Sequence, residues 1–279
     1  MGSLPIRIES VAVGDELLDG RISDGNTRFL GDSLAPLGLS VARATCVPDD
    51  VDAIAEAILE AATRADVVVT SGGLGPTTDD LTAAGVARAA GCGLRLDEPA
   101  FRAICARFEA RGLNMPENNR RQAELPSLGE AIGNDVGVAP GFVTPVGGAQ
   151  VYSLPGVPRE YRWMVEHRIL PLLVQRLGAR GHVERRTLRC LGITESALGA
   201  ALEPLQRAHP DVLVQYRTSF PENHARFVVV GDHHTAVSKR ADMLLQEARS
   251  LIGGAVYGEG DAPLEQRVVA ALLHRGATV

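Results

Sequence analysis

The 279-residue chain is 45% hydrophobic and 22% charged with a net charge of −6, longer than a typical single domain, so two domains are expected. It contains no apolar run near the ~18 residues of a membrane span and opens on no charged-then-apolar leader, which points to a cytoplasmic protein without a membrane partner. Cys46, Cys92, Cys105 and Cys190 lack metal-type spacing and read as reduced thiols.

Residues 1–172 carry 15 basic and 23 acidic side chains, net −8, residues 173–250 carry 11 and 8, net +3, and the remainder is −1. The balance separates two regions but is too mild to predict nucleic-acid binding.

Residues 6–13 alternate and then turn continuously apolar, as a first core strand does. Gly14-Asp15-Glu16 follows at its carboxyl end, and helical spacing runs from Asn26 to Leu37. A second strand is predicted over Leu39–Val47, and Asp49 or Asp50 caps a helix over 51–62. Val67–Val69 is a β-branched run of the kind that fills the middle of a parallel sheet. The order β-α-β-α-β-α predicts a parallel sheet with helices on both faces, and ligands bind at the carboxyl ends of such strands.

The organising stretch is Ser71-Gly72-Gly73-Leu74-Gly75-Pro76-Thr77-Thr78-Asp79-Asp80. Its three glycines let backbone approach a ligand, and free N–H groups above a helix start suit an anion. Thr77 or Thr78 is expected to cap a helix from Leu81 to Ala90, with Asp79 and Asp80 in its first turn. Acidic residues there favour the helix dipole without any further role. Beside a phosphate they need an intervening cation, which points to a divalent metal.

A helix over 98–111 leads to a polar stretch with Asn118, Asn119, Arg121 and Gln122, read as a loop and helix start able to reach a ligand or as a solvated face. A strand at 150–154 ends in Pro155-Gly156-Val157-Pro158, a second strand-to-helix turn, and the next helix is expected to close near Pro171. Beyond residue 173 come a strand (183–190), a helix capped by Thr194 or Ser196, strands at 212–216 and 225–230, a helix over 235–251 and a strand near 255–257. An amphipathic helix starts after residue 261. The expected boundaries are 1–172, 173–258 and 259–279.

Together the runs Val11–Gly20 with Asn26, Ser71–Thr82, Asn118–Ala123, Asn134–Phe142, Leu154–Glu160 and Leu191–Ser196 resemble the CinA (competence/damage-inducible protein) family, whose first domain is of the MoaB/MogA type. The resemblance implies a three-layer α/β/α domain with a mostly parallel sheet, followed by a small α+β KH-like domain. It also implies a homodimer and metal-dependent hydrolysis of ADP-ribose to AMP and ribose 5-phosphate. Longer relatives add a carboxyl-terminal deamidase domain marked by an Ala-Glu-Ser-Cys-Thr-Gly-Gly-type run. These 279 residues lack that run, so deamidation is not expected of them. Asp15 stands where relatives have threonine, and Thr78 where many have lysine.

The leading expectation is a diphosphate hydrolase. Gly72, Gly73 and Gly75 hold the diphosphate, with Thr77, Asn26, Asn118, Asn119, Arg121, Pro155 and Gly156 as further contacts. Glu16, Asp79 and Asp80 bind Mg²⁺, Mn²⁺ or Co²⁺, and Asp49, Asp79 and Asp80 carry the chemistry. The alternative is a molybdopterin-binding or pterin-adenylating protein, because the same Gly-Gly-x-Gly-Pro-x-x-x-Asp pattern serves both.

Overall fold

A computed structural model describes residues 6–177, 182–231, 233–260 and 262–276. The chain divides into two compact units, Met1–Ala179 and Arg180–Val279.

The first unit runs β1 (Ile8–Val13), a short helix α1 (Asp15–Leu18), α2 (Gly25–Leu34), β2 (Val41–Val47), α3 (Val51–Ala62), β3 (Val67–Ser71) and α4 (Thr82–Ala89). It continues with β4 (Leu94–Leu96), α5 (Glu98–Glu109), β5 (Glu124–Pro126), β6 (Glu130–Ile132), β7 (Gly141–Val146), β8 (Ala149–Leu154), α6 (Pro158–Met164) and α7 (Leu170–Leu177). The main sheet has the order β2-β1-β3-β8-β7-β6. Its first four strands are parallel, while β7 lies antiparallel to β8 and β6 antiparallel to β7. The sheet is therefore mostly parallel, as expected, with an antiparallel edge where Gly147-Gly148 joins β7 to β8 as a hairpin too short for a crossover.

Alternation along the strands sets the layers. Val68, Val11 and Val13 face Ile54, Ile58 and Val86 of α3 and α4. Val67, Val69 and Ile8 face Leu30, Leu34, Tyr161 and Met164 of α2 and α6. All of these are essentially sealed from solvent, and each buried aliphatic side chain contributes roughly 1.5–3 kcal/mol. The result is the expected α/β/α sandwich.

Two local expectations are corrected. The helix near Pro171 does not close there: a π-turn over Val165–Ile169, with the Leu170 amide donating to the Val165 carbonyl, feeds directly into α7. Pro171 lies within this continuous helical run, directly after the π-turn, so the first unit extends past residue 172. Nor do Thr77 and Thr78 cap α4. The helix begins at Thr82 with no side-chain cap and no acidic residue in its first turn.

The second unit is an antiparallel sheet in the order β10-β11-β9-β12, built from β9 (His182–Leu191), β10 (Leu213–Ser219), β11 (Glu222–Gly231) and β12 (Val256–Glu259). Helices α8 (Glu195–Ala208) and α9 (His234–Ile252) supply Leu198, Leu202, Leu205, Leu244 and Leu245 to one core with Leu188, Ala225 and Phe227. Thr194, rather than Ser196, caps α8 by accepting from the Ala197 amide at 3.2 Å. A final helix, α10 (Leu264–His274), buries none of its residues.

Candidate functional site

The chain passes from β1 to β2 on one side and then to β3 on the other, so the strand order reverses between β1 and β3. Crevices at such reversals, beyond the carboxyl ends of the strands, are where α/β sheets bind ligands. A cleft of about 580 Å³ opens there. Its walls are the turn after β1 (Gly14, Glu16), the start of α2 (Asp24, Asn26), Asp49, the turn after β3 (Ser71–Pro76, Asp79, Asp80), Gln122, Val138, Ala139 and the Pro155–Pro158 turn with Glu160.

Three close approaches build the floor. Gly72 has φ +106, and a Cβ there would lie 2.2 Å from the Val13 carbonyl oxygen. A Cβ on Gly156 would lie 3.1 Å from Gly72 Cα. The buried Thr82 hydroxyl donates to the Gly72 carbonyl at 2.8 Å and the Thr82 amide to the Gly73 carbonyl at 3.1 Å. Only glycine lets three strand ends meet this closely.

Asn26 stitches two walls together. Its Nδ2 donates to Ser71 Oγ at 2.7 Å and to the Gly156 carbonyl at 2.8 Å. A carbonyl can only accept, which fixes the amide orientation. Asp24 caps α2, accepting from the amides of Asn26 and Thr27 at 3.1 and 2.9 Å. Glu160 Oε2 accepts from Asn134 Nδ2 at 2.6 Å, and the same amide group reaches the Ala139 carbonyl at 2.8 Å. That network ties the 134–139 loop over the cleft.

Asp79 and Asp80 have different tasks. Asp80 accepts from the Gly75 amide at 2.6 Å, the Thr77 amide at 2.8 Å and the Thr77 hydroxyl at 2.5 Å. It closes the 75–80 turn on itself, which keeps these residues out of α4. Asp79 is exposed, and the donors of the 77–79 turn together with the charge of Arg121 hold its carboxyl below the usual range. Asp50 is the cap of α3, accepting from Asp52 and Ala53 amides at 3.0 and 2.9 Å. Asp49 is thereby left facing Asp15, and partial burial raises its carboxyl, with Asp15, Glu16 and Asp79 adding to the rise through their charge against the opposing Asp15 amide bond.

The three-glycine anion cradle is corrected. The Gly72 amide donates to the Leu154 carbonyl at 3.1 Å and the Gly75 amide to Asp80, so of the three only the Gly73 amide has no acceptor among the described residues. Asn118 is exposed and Asn119, bonded to Gln122 at 2.8 Å, is buried, and neither lines the cleft. Arg121 lines a separate cavity of about 50 Å³ behind the glycine turn. Thr77 serves Asp80 rather than the cleft. Pro155, Gly156, Asn26, Glu16, Asp49 and Asp79 do line it. Asp24, Ser71, Gln122 and Glu160 are additional lining groups. The capping position of Asp24, the strand-end position of Ser71 and the place of Glu160 just after the Pro155–Pro158 turn were visible signals.

Carboxylates make a hard donor set, yet among the described residues no three His, Cys, Asp or Glu side chains converge to hold a metal ion. Glu16, Asp79 and Asp80 therefore do not form a ready cage, and Asp80 already accepts from three donors of its own turn. Glu16 and Asp79 fit only an ion that draws its remaining ligands from water or substrate oxygens, as Mg²⁺ does.

Residues 9–175 match the family model "Probable molybdopterin binding domain", and residues 185–258 match "Damage-inducible protein CinA KH domain". The first unit is thus a MoaB/MogA-like α/β domain and the second a KH-like α+β unit. A CinA-like protein of Anaeromyxobacter sp. (strain Fw109-5) is 39% identical over 278 residues, covering 99% of this chain and 67% of that protein. A CinA-like protein of Myxococcus xanthus is 37% identical over 277 residues, with 98% and 66% covered. The crystal structure of the CinA protein of Thermoplasma acidophilum, described as of unknown function, shares 37% identity with a TM-score of 0.55, covering 60% of this chain and 97% of that one. The chain belongs to the CinA-like family. It spans about two thirds of the length of the curated relatives it matches. Among the described residues no helix is long and apolar enough to cross a membrane.

Proposed function

We propose that the first unit binds a pterin of the molybdopterin class in the cleft between the ends of β1 and β3. One observation carries this reading: six carboxylates, Glu16, Asp24, Asp49, Asp79, Asp80 and Glu160, line the cleft with no Lys, Arg or His among them. Such a wall accepts hydrogen bonds, and a pterin ring offers an amino group and several ring N–H donors to it. The family match over residues 9–175 supports the same ligand class. Calorimetry with molybdopterin is expected to give one site per chain, weakened at least tenfold by Asp79→Asn. Wild-type protein that fails to bind pterin at micromolar concentration would overturn the reading.

A second reading is favoured by the raised carboxyl of Asp49: hydrolysis of ADP-ribose to AMP and ribose 5-phosphate. A general base works best when its pKa approaches the operating pH. Asp49 would take a proton from water as that water attacks one phosphorus and the bridging P–O bond breaks. A divalent ion held by Glu16 and Asp79 would supply charge neutralisation at the diphosphate. The check is AMP release from ADP-ribose with Mg²⁺, Mn²⁺ or Co²⁺, expected in wild type and absent in Asp49→Asn. Equal release from both proteins would remove this reading.

A further inference from the structure

Phosphate is a poor fit to a wall of six carboxylates, and the glycine turn has turned two of its three amides to other uses. A groove of about 540 Å³ beside the cleft has the opposite character. It is lined by Val136, Pro158, Arg159, Arg162, Trp163 and Glu166, and Pro158 also lines the cleft. Val136 belongs to the same 134–139 loop whose Val138 and Ala139 close the cleft wall.

Arg159 and Arg162 stand three residues apart on α6, a spacing that puts them on one helix face. Both are exposed. No carboxylate among the described residues forms an ion pair with either, in contrast to Arg168, Arg64 and Arg88, each paired with an acidic neighbour. Like charges at this spacing repel each other, a repulsion an anion would relieve. Glu166 is the one acidic group on the groove, leaving its lining net positive in a region that is otherwise acidic. The Arg162 guanidinium sits 5.4 Å from the Phe29 ring centroid, which restrains it on the α2 side.

The third wall is braced. His167 stacks on Trp163 at 4.7 Å with an interplanar angle of 9°, and the Arg168 guanidinium lies 5.0 Å from the indole. Arg168 is itself tied to the Gly133 carbonyl at 3.2 Å and to Asp135 at 3.1 Å. His167 and Arg168 fall within the π-turn, a feature frequent at functional sites. A preorganised wall loses little entropy on binding.

We infer that this groove is an anion subsite that takes the phosphate or diphosphate group of a ligand whose donor-rich head lies in the acidic cleft. The inference rests on the cleft being the ligand site, and it orients the ligand: head between β1 and β3, anionic arm across Pro158 toward Arg159 and Arg162. Paired guanidinium groups suit phosphate oxygens by charge and by fork geometry.

Trp163 is the only tryptophan in the chain, so its fluorescence reports on the groove alone. Inorganic pyrophosphate is titrated at fixed ionic strength with EDTA present, which removes any metal-mediated binding in the cleft. The expected result is saturable quenching in wild type, a Kd at least tenfold weaker in Arg159→Gln/Arg162→Gln, and a Kd within twofold of wild type in Asp79→Asn. Both arginines are exposed, so the double variant should keep its circular dichroism. Absence of saturable binding, or equal affinity in the double variant, overturns the inference. Pyrophosphate carries no pterin head, so failure of the pterin reading would leave this result standing, and the reverse is also true.

Discussion

Asp15 and Asp49 each accept a hydrogen bond from the other's backbone amide, Asp15 N–H to Asp49 Oδ2 at 3.0 Å and Asp49 N–H to Asp15 Oδ1 at 3.3 Å. The pair locks the turn after β1 to the turn after β2 and holds two carboxylates side by side at the cleft rim. Burial raises the Asp49 carboxyl above its ordinary value, and the neighbouring charges of Asp15, Glu16 and Asp79 push the same way. The folded protein therefore holds this proton at a pH where the unfolded chain has released it. Stability contributed by Asp49 is complete below the ordinary carboxylate value and is lost as pH rises from there through the folded pKa. Asp49→Asn should remove that slope and leave the protein at least as stable as wild type at neutral pH. Urea unfolding between pH 4 and 7 reads both effects, and a steeper slope in the variant would contradict the assignment.

Gly72 is where backbone sterics decide the site. Gly72→Ala places a methyl group 2.2 Å from a backbone oxygen at a φ of +106, so β1 and β3 must separate. The expected loss is about 2–4 kcal/mol from strain and overpacking together. Gly91→Ala is the matched control, with φ +65 and nothing within 4 Å of the added carbon, and should cost about 1–2 kcal/mol. Thermal denaturation of the two variants side by side separates steric clash from dihedral strain.

Asp80 gathers three donors from Gly75 and Thr77, so its removal should act on the turn before it acts on any ligand. Asp80→Ala is expected to cost about 1–3 kcal/mol and to speed hydrogen exchange at the Gly75 and Thr77 amides. Asp80→Asn keeps one acceptor oxygen and should fall between the two. Unchanged exchange at both amides in Asp80→Ala would show that the turn stands without the carboxylate.

The chain's layers were legible because Val67–Val69 and the spacing of Ile54, Ile58 and Leu30 state their periods locally. The cleft edge was legible for the same reason, since Gly14, Asp49, Gly72 and Pro155 all follow strands. The division of labour within it was not. Nothing local distinguishes Asp79 from Asp80, or Asp49 from Asp50: which oxygen reaches which amide depends on turn geometry fixed by the glycines and by Thr82. The Asn118–Arg121 stretch failed as a ligand wall because it packs behind the glycine turn, a long-range placement with no periodic signature. Its neighbour Gln122 does reach the cleft, bonded to the Leu74 carbonyl at 3.3 Å.

In the second unit, one buried carboxylate joins three strands. Glu222 on β11 accepts from Arg189 of β9 at 2.8 Å, from His224 at 2.8 Å and from the Tyr257 hydroxyl of β12. Burial pushes its pKa up, but these donors outweigh burial and bring it down to about 2 from an ordinary 4.5. The unfolded chain therefore takes up this proton first as pH falls. The stabilisation is complete above about 4.5 and disappears as pH drops through about 2. Glu222→Gln removes the charge on which the donors of Arg189, His224 and Tyr257 converge, and losing one member of a buried ion pair costs about 3–5 kcal/mol. Acid titration followed by far-ultraviolet circular dichroism should show wild type losing stability between pH 4.5 and 2, with this component missing from Glu222→Gln. A variant matching wild type in both stability and acid slope would mean that the Arg189, His224 and Tyr257 contacts do not hold the carboxylate in solution.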